Sequence, residues 1–90
     1  MACRTHPLIP MNTYHLMYFG LLATRRGTDE ESIRSTAGTT TALADALNTQ
    51  YQLGISRDAM LVAVNDVLVP WTHPLHDGDR VALLPPMSGG

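Results

Sequence analysis

Apolar and polar residues alternate over several short segments of the chain, a pattern typical of strands with one face on a core. The first such segment, Tyr14–Phe19, is short and aromatic-rich and ends at the breaker Gly20. Its side chains divide between two faces, with Tyr14, Leu16 and Tyr18 on one and His15, Met17 and Phe19 on the other. Because side chains alternate along a strand, this segment predicts a strand with apolar groups on both faces.

The following segments predict a connection and then a weak strand. Residues 21–28 end in Arg-Arg-Gly-Thr, a turn composition, and predict a loop. Glu30–Ser35 comes next, with Ile33 as its only strongly apolar residue. Since charged side chains are tolerated and useful at the edge of a sheet, we expect this strand at an edge.

A helical period replaces the alternation after Gly38. Thr39 or Thr40 can cap a helix of about three turns, and Gly54 is a natural stop for it. The apolar positions at i, i+3, i+4 and i+8 predict one buried stripe, made of Leu43, Ala46, Leu47 and Tyr51. The sequence therefore predicts a helix with one face on the core.

The last third of the chain returns to a strand pattern. Ala59–Val64 and Val67–Val69 flank Asn-Asp, a pair that tolerates left-handed dihedrals, and predict a hairpin. Pro70 ends its second strand. A final strand is predicted over Arg80–Leu84, after the Asp-Gly-Asp turn at 77–79.

This order of elements, β-β-α-β-β-β, or β-β-α-β-β if the short pieces merge, predicts the α+β class. We expect a mixed sheet curved around one main helix. The length of 90 residues suits one small domain, and no apolar run reaches the roughly 18 residues of a membrane span. The first ten residues lack the apolar core of a signal peptide, so a cytoplasmic location is expected.

Charge and composition exclude several classes of partner. The net charge is −2, and the basic residues are scattered arginines with no lysine among them. Nucleic-acid-binding proteins cluster their basic residues in a patch, which this sequence does not do, so no nucleic-acid partner is expected. No membrane partner is expected either. Without lysine, the chain cannot form isopeptide chains with copies of itself.

Candidate metal and acid–base groups are sparse. Cys3 and His6 supply only two ligands, whereas a structural zinc site takes four. His73 and His76 are separated by Pro74, which indicates a turn rather than a metal-binding helix. Asp77 and Asp79 flank a glycine and are interpreted as turn residues. We therefore expect no metal site and no cofactor bound by this chain.

The C-terminal sequence carries the most specific signal. It reads Leu-Leu-Pro-Pro-Met-Ser-Gly-Gly, from Leu83 to Gly90. Glycines lack a side chain, so Gly89 and Gly90 can enter a channel too narrow for a Cβ and present a carboxylate to another protein's active site. Pro85 and Pro86 favour an extended exit, which lowers the ordering cost of docking. The pattern predicts that the carboxylate of Gly90 is the reactive group of the chain.

Several motifs together resemble a known family. They are Leu-Val-Ala-Val-Asn-Asp at 61–66, His-Pro-Leu at 73–75, Asp-Gly-Asp at 77–79 and the Pro-Pro-Met-Ser-Gly-Gly ending. In this combination and order they resemble the small subunits of molybdopterin synthase, which are ubiquitin-like β-grasp sulfur carriers. The resemblance covers about residues 13–90, although 30–57 match only in element order.

The resemblance implies a chemistry for the C-terminus. An E1-like adenylyltransferase would use ATP to adenylate Gly90, and a sulfur donor protein would then convert it to a thiocarboxylate. The sulfur would pass to cyclic pyranopterin monophosphate in molybdenum cofactor biosynthesis. The chain would be a non-catalytic donor, with the active site on the large subunit of a heterotetramer of two small and two large chains. Residues expected to bind partners along the tail are Pro85, Pro86, Met87, Ser88 and Gly89.

A partner surface is expected on the face of the sheet that the helix leaves open. Its expected residues are Phe19, Met17 and Leu84, with Leu68 and Ala82 on or near the same face. Trp71 fits either the core or this surface. The predicted organisation is a disordered extension at 1–12, a β-grasp domain at 13–86 and a flexible tail at 87–90.

Three other functions remain open from the sequence. The chain could carry sulfur for thiamine or tRNA thiolation, although thiamine carriers usually lack the Pro-Pro step. It could be a ubiquitin-like modifier that joins Gly90 to lysines of target proteins. It could also be a stand-alone binding domain with an inert tail.

Overall fold

The computed structural model of the protein describes residues 11–85. Within them the order of elements is β-α-β-α-β-β-β. The strands are β1 (Asn12–Tyr18), β2 (Glu30–Ser35), β3 (Leu61–Val64), β4 (Val67–Val69) and β5 (Arg80–Leu84). The helices are α1 (Leu21–Arg26) and α2 (Thr40–Tyr51). None of the described helices is long and apolar enough to cross a membrane.

The five strands form one mixed sheet in the order β2-β1-β5-β3-β4. β1 and β5 run parallel at its centre, and the other neighbours are antiparallel. β2, which carries charged residues, lies at an edge. The predicted mixed sheet, its edge strand and the α+β class are confirmed.

The core lies between α2 and one face of the sheet. The alternation predicted for β1 is confirmed, because Tyr14, Leu16 and Tyr18 are at most 2% exposed. Their partners in the core come from β3, β5 and α2, and include Val62, Val64, Val81, Leu83, Leu43, Ala44 and Leu47. Tyr14 also donates its hydroxyl proton to the carbonyl of Ala37. The helix thus covers one face and leaves the other open.

The stripe predicted for α2 is partly wrong. Leu43 and Leu47 are buried, but Ala44 is buried with them, whereas Ala46 is exposed. Alanine is weakly apolar, so its position on either face of a helix depends on packing rather than pattern. Tyr51 is half-buried, with the guanidinium of Arg26 3.8 Å from its ring centroid.

The ends of α2 follow its capping residues. The Thr39 hydroxyl accepts a hydrogen bond from the Ala42 amide over 3.1 Å, as a helix N-cap does. The helix ends at Tyr51 and its C-cap is Gln52, in the left-handed region with φ 55°. The predicted stop at Gly54 is therefore two residues late.

The segment predicted as a loop at 21–28 contains α1, so that expectation is wrong. Its flanking breakers, Gly20 and Gly27, are the caps of this helix. Leu22 is the one buried residue of the six, so no helical period is visible in the sequence. The positive charges of Arg25 and Arg26, in its last turn, interact favourably with the negative end of the helix dipole.

The hairpin is confirmed, with a later start than predicted. β3 begins at Leu61 rather than Ala59, since residues 57–59 form a turn. Asn65 and Asp66 connect the strands with φ 52° and 72°, the left-handed conformation expected of a two-residue turn. Trp71 packs partly against the core and donates its indole N–H to the Met60 carbonyl over 3.2 Å.

Candidate functional site

The C-terminal tail leaves the sheet from its centre. β5 ends at Leu84, and Pro85, the last described residue, is half-buried. Because β5 runs parallel to β1, the C-terminal ends of these two strands lie at the same end of the sheet. The remaining predicted tail residues, Pro86, Met87, Ser88, Gly89 and Gly90, lie outside the described residues.

The open face of the sheet, opposite α2, carries a row of apolar residues that crosses four strands. Met17 lies beside Ala82, Ala82 beside Ala63, and Ala63 beside Leu68. Ala82 is 7% exposed and Ala63 is 8% exposed, although neither belongs to the core cluster. Two small side chains therefore lie between the larger Met17 and Leu68 in this row.

A second row of the open face lies nearer the exit of the tail. Leu61 and Leu84 are partners across β3 and β5. Phe19 follows β1 at the same end and lines, with Met17, a depression of about 300 Å³. Phe19 is 44% exposed and Leu61 47%, so these large apolar groups contact water. The structure therefore brings the three predicted partner residues, Phe19, Met17 and Leu84, to one end of the open face.

The opposite end of the open face is polar. His15 lies 3.0 Å from the Glu30 carboxylate, measured from Nε2 to Oε1. Arg80, the neighbour of His15 in β5, donates to the Asp66 carboxylate over 2.6 Å. Exposed ion pairs of this kind contribute little to stability. Arg80 and Asp66 lie at the end of the open face away from Leu84, whereas Glu30 pairs with Met17 and lines the depression beside Phe19.

The Asp-Gly-Asp turn has a structural role. Asp77 accepts a hydrogen bond from the Thr13 amide over 2.6 Å, and Asp79 accepts one from the His76 amide over 2.8 Å. Gly78 between them has φ 88°, which favours glycine. These contacts join the turn before β5 to the start of β1, as expected of turn residues rather than of an acid–base pair.

A polar cluster joins α1 to β1 and β2. Arg26 donates two hydrogen bonds to the Glu31 carboxylate, over 2.7 and 2.8 Å, and the Tyr18 hydroxyl donates a third over 2.6 Å. Burial raises the pKa of Glu31, but these hydrogen bonds outweigh burial, so the pKa lies below its usual range. Burial, together with the bond to Glu31, raises the pKa of the Tyr18 hydroxyl.

Metal-binding side chains do not converge in the described part of the chain. Among residues 11–85, no group of three or more His, Cys, Asp and Glu could hold a metal ion. His73 and His76 belong to the connection between β4 and β5. Cys3 and His6 lie outside the described residues.

Leu61 and Ala63 also lie on the open face and are not among the residues predicted for it. Both alternate with the core residues Val62 and Val64. Because every residue of β3 is apolar, the sequence of this strand already indicates that both of its faces are apolar. The approach of Gly20 to Pro85 is a further feature that the sequence does not predict. That approach joins residues far apart in the chain, and no local pattern indicates it.

Similarity to known proteins covers the C-terminal tail as well as the domain. A sequence profile of the ThiS family matches residues 16–90. The chain is 35% identical over 78 residues to the molybdopterin synthase sulfur carrier subunit of Escherichia coli K12, covering 83% of this chain and 96% of that protein.

Solved structures show the same fold. SAMP1 from Haloferax volcanii superposes with a TM-score of 0.72 at 25% identity, covering 88% of this chain and 100% of that one. A chain from the complex of subunits 1 and 2 of the Helicobacter pylori molybdopterin-converting factor superposes with a TM-score of 0.59 at 29% identity. The latter match covers 87% of this chain and 99% of that one. The ubiquitin-like β-grasp fold implied by the sequence motifs is confirmed.

Proposed function

We propose that this chain, which belongs to the ThiS family, is the sulfur-carrier subunit of a molybdopterin synthase. The observation that carries the proposal is the similarity to the E. coli sulfur carrier subunit across 96% of that protein. The family match also extends through Gly90, so the residue that the motif assigns to sulfur transfer lies inside it. We infer that Gly90 carries the sulfur.

The chemistry proceeds in two steps on the Gly90 carboxylate. A carboxylate oxygen attacks the α-phosphorus of ATP, which forms an acyl adenylate and releases pyrophosphate. Hydrosulfide, which a thiol can release from the persulfide of a donor protein with formation of a disulfide, then attacks the acyl carbon. The carbon–sulfur bond forms, the bond to AMP breaks, and a proton is lost to leave the thiocarboxylate. ATP is used by the activating enzyme, and this chain contributes the acyl group.

Delivery of the sulfur requires a second protein to hold the pterin. We propose that the large subunit of molybdopterin synthase binds the open face and receives the tail. The H. pylori relative is a complex of subunits 1 and 2, which supports such a pairing. A heterotetramer of two small and two large chains follows from the family resemblance. The pterin site and the catalytic groups would then belong to the large subunit.

The geometry of the open face supports this arrangement. Phe19 and Leu61 expose large apolar surfaces at the end of the sheet where the tail departs. Ala63 and Ala82 lie between Met17 and Leu68 and extend the apolar row across the face. Exposed apolar patches of this kind mark interaction sites in small proteins. One partner can therefore cover the apolar end of the face and enclose the tail at the same time.

Charging of the chain tests the carrier function. The wild type, incubated with the E1-like adenylyltransferase of the same organism, ATP and sulfide, is expected to show one oxygen replaced by sulfur in its intact mass. A variant lacking Gly90, and a variant with one alanine added after it, are expected to stay uncharged with an unchanged thermal unfolding curve. Charging of either variant at the wild-type rate would contradict the assignment of Gly90.

A second candidate function is protein modification. The structural relative SAMP1 is a small archaeal modifier protein, and its fold is shared by this chain. Gly90 would then form an amide with a lysine of a target protein. Covalent conjugates that resist thiols in cell extract would indicate modification, whereas free chain bearing a thiocarboxylate would indicate the carrier.

A further inference from the structure

Gly20 occupies a backbone conformation that favours glycine. It lies between Phe19 of the open face and the first residue of α1, with φ 60° and ψ −131°. This is the mirror image of the extended region, where a Cβ is disfavoured. The chain turns here from β1 into α1, so Gly20 sets the direction in which α1 begins.

The ring of Pro85 fills the space in front of Gly20. A Cβ built on Gly20 would lie 3.4 Å from Cγ of Pro85 and 3.7 Å from its Cβ. An alanine would just contact the ring at these distances, so a larger side chain that extends in this direction would press on Pro85. Gly20 and Pro85 are the residues through which the start of α1 meets the start of the tail.

α1 is held in place from the other side, so it cannot retreat from Pro85. Leu22 is 3% exposed and packs in the core. Arg25 donates to the Leu53 carbonyl over 2.8 Å, and Arg26 holds Glu31 through two hydrogen bonds. A side chain at position 20 that extends toward Pro85 would therefore press on Pro85 rather than on the helix.

We propose that Gly20 is a positioning residue for sulfur transfer, because it leaves room for Pro85 and so fixes the direction in which the tail departs. This role rests on the proposed function of Gly90. Proline holds its own φ near −65°, so a shift of the Pro85 ring also turns the backbone of Pro85. Misplacement of a reacting group by about 1 Å costs up to a hundredfold in rate.

The chain contains a matched control for this role. Gly27, the other cap of α1, also has a positive φ, 84°, and no atom lies within 4 Å of the Cβ position there. Gly20→Leu and Gly27→Leu share the side chain added and a positive φ, and only Gly20 lies against Pro85. The conformation of Gly20 is the more strained of the two, so the double variant with Pro85→Ala separates the contact from the strain. Both leucine variants are first compared with the wild type for folding by circular dichroism and thermal unfolding.

The measurement is the steady-state rate of charging with the E1-like adenylyltransferase, ATP and sulfide. Gly20→Leu is expected to lower kcat about tenfold or more with KM changed less than about threefold, because partner binding is kept and Gly90 is misplaced. Gly27→Leu is expected to keep the wild-type kcat. Adding Pro85→Ala to Gly20→Leu removes Cγ from the contact and is expected to recover part of the lost rate.

Each outcome decides the role of Gly20. Equal kcat for the two folded leucine variants, or no recovery in the double variant, overturns it. If Gly20→Leu does not fold, Gly20→Ser and Gly27→Ser replace the pair, with the same expected order of kcat. A wild type that is not charged overturns the proposed function, and the role of Gly20 with it. A charged wild type with equal variants overturns the role of Gly20 alone.

Discussion

The carboxamide of Asn65 is bonded to the Asp79 carboxylate, with Nδ2 donating to Oδ1 over 3.0 Å. The other end of the same carboxamide accepts a hydrogen bond from the Arg80 amide over 3.0 Å. One side chain in the β3–β4 turn therefore holds the residues that begin β5. The two turn motifs found in the sequence, Asn-Asp and Asp-Gly-Asp, are parts of one structural unit.

Replacement of Asn65 separates two contributions to stability. Asn65→Gly keeps the left-handed conformation and removes the side-chain bonds, so it should lower the free energy of unfolding by about 1 kcal/mol. Asn65→Ala also places a Cβ at positive φ, which adds a further cost of about 1 kcal/mol. Urea unfolding of both variants measures the difference. Equal stability of the glycine variant and the wild type would show that the bonds to Asp79 and Arg80 contribute nothing.

The polar cluster around Glu31 makes the free energy of unfolding depend on pH. The pKa of Glu31 is lower in the folded chain than in the unfolded chain, since Arg26 and Tyr18 bond its ionised form. Its contribution is therefore present above the unfolded value of about 4.3 and is lost as pH falls through the folded pKa. Glu31→Gln should be less stable at neutral pH and lose less stability on acidification. Parallel pH profiles of the two proteins in urea unfolding would contradict this.

The partner surface is tested by a charge at Phe19. Phe19→Asp should weaken binding of the large subunit by roughly 2–4 kcal/mol, because a charge in a desolvated interface is costly. Thermal unfolding should change little, since the residue is 44% exposed. Val67→Asp is the control, because Val67 is 61% exposed and alternates with Leu68, on the other face of β4.

Calorimetric titration of each variant with the large subunit gives the comparison. If Val67→Asp weakens binding as much as Phe19→Asp does, the open face is not the interface. If Phe19→Asp unfolds the chain, Phe19 stabilises the domain and the assignment of faces around it is wrong.

The segment before β1 is expected to be dispensable. β1 begins at Asn12, and residues 1–10 carry no apolar period. A chain that starts at Met11 should keep the thermal unfolding midpoint and the charging rate of the full chain. A large loss of either would assign the first ten residues a role in folding or in binding the activating enzyme.

Much of the fold could be predicted because its strands carry regular alternation. Tyr14, Leu16 and Tyr18 occupy the core face of β1 as the pattern indicates. The turn at Asn65 and Asp66 was predictable too, since few residues adopt positive φ readily.

The remaining features depend on tertiary packing. α1 has six residues and one buried side chain, too short a segment for a period to appear. The glycines at its ends indicated a loop, although Gly27 after two arginines is also the signature of a helix end. Ala44 is buried and Ala46 is exposed because the sheet selects the face of α2.

The candidate site divides in the same way. The positions of Phe19, Met17 and Leu84 on the open face could be predicted from the sequence, and their role in partner binding stays a prediction, as does that of the C-terminal motif. The pairing of Ala63 with Ala82 could not be predicted, because it requires the register of β3 on β5. The contact between Gly20 and Pro85 requires the parallel pairing of β1 and β5, which local patterns do not specify.

Sulfur delivery is the most direct test of the central claim. The chain is first charged to the thiocarboxylate and purified, and is then mixed with the large subunit and cyclic pyranopterin monophosphate. The account predicts a dithiolene product that forms with two charged chains consumed for each molecule of product, one for each sulfur. The uncharged chain should yield none. A charged chain that leaves the pyranopterin unchanged but supplies sulfur to thiazole formation or tRNA thiolation would contradict the account.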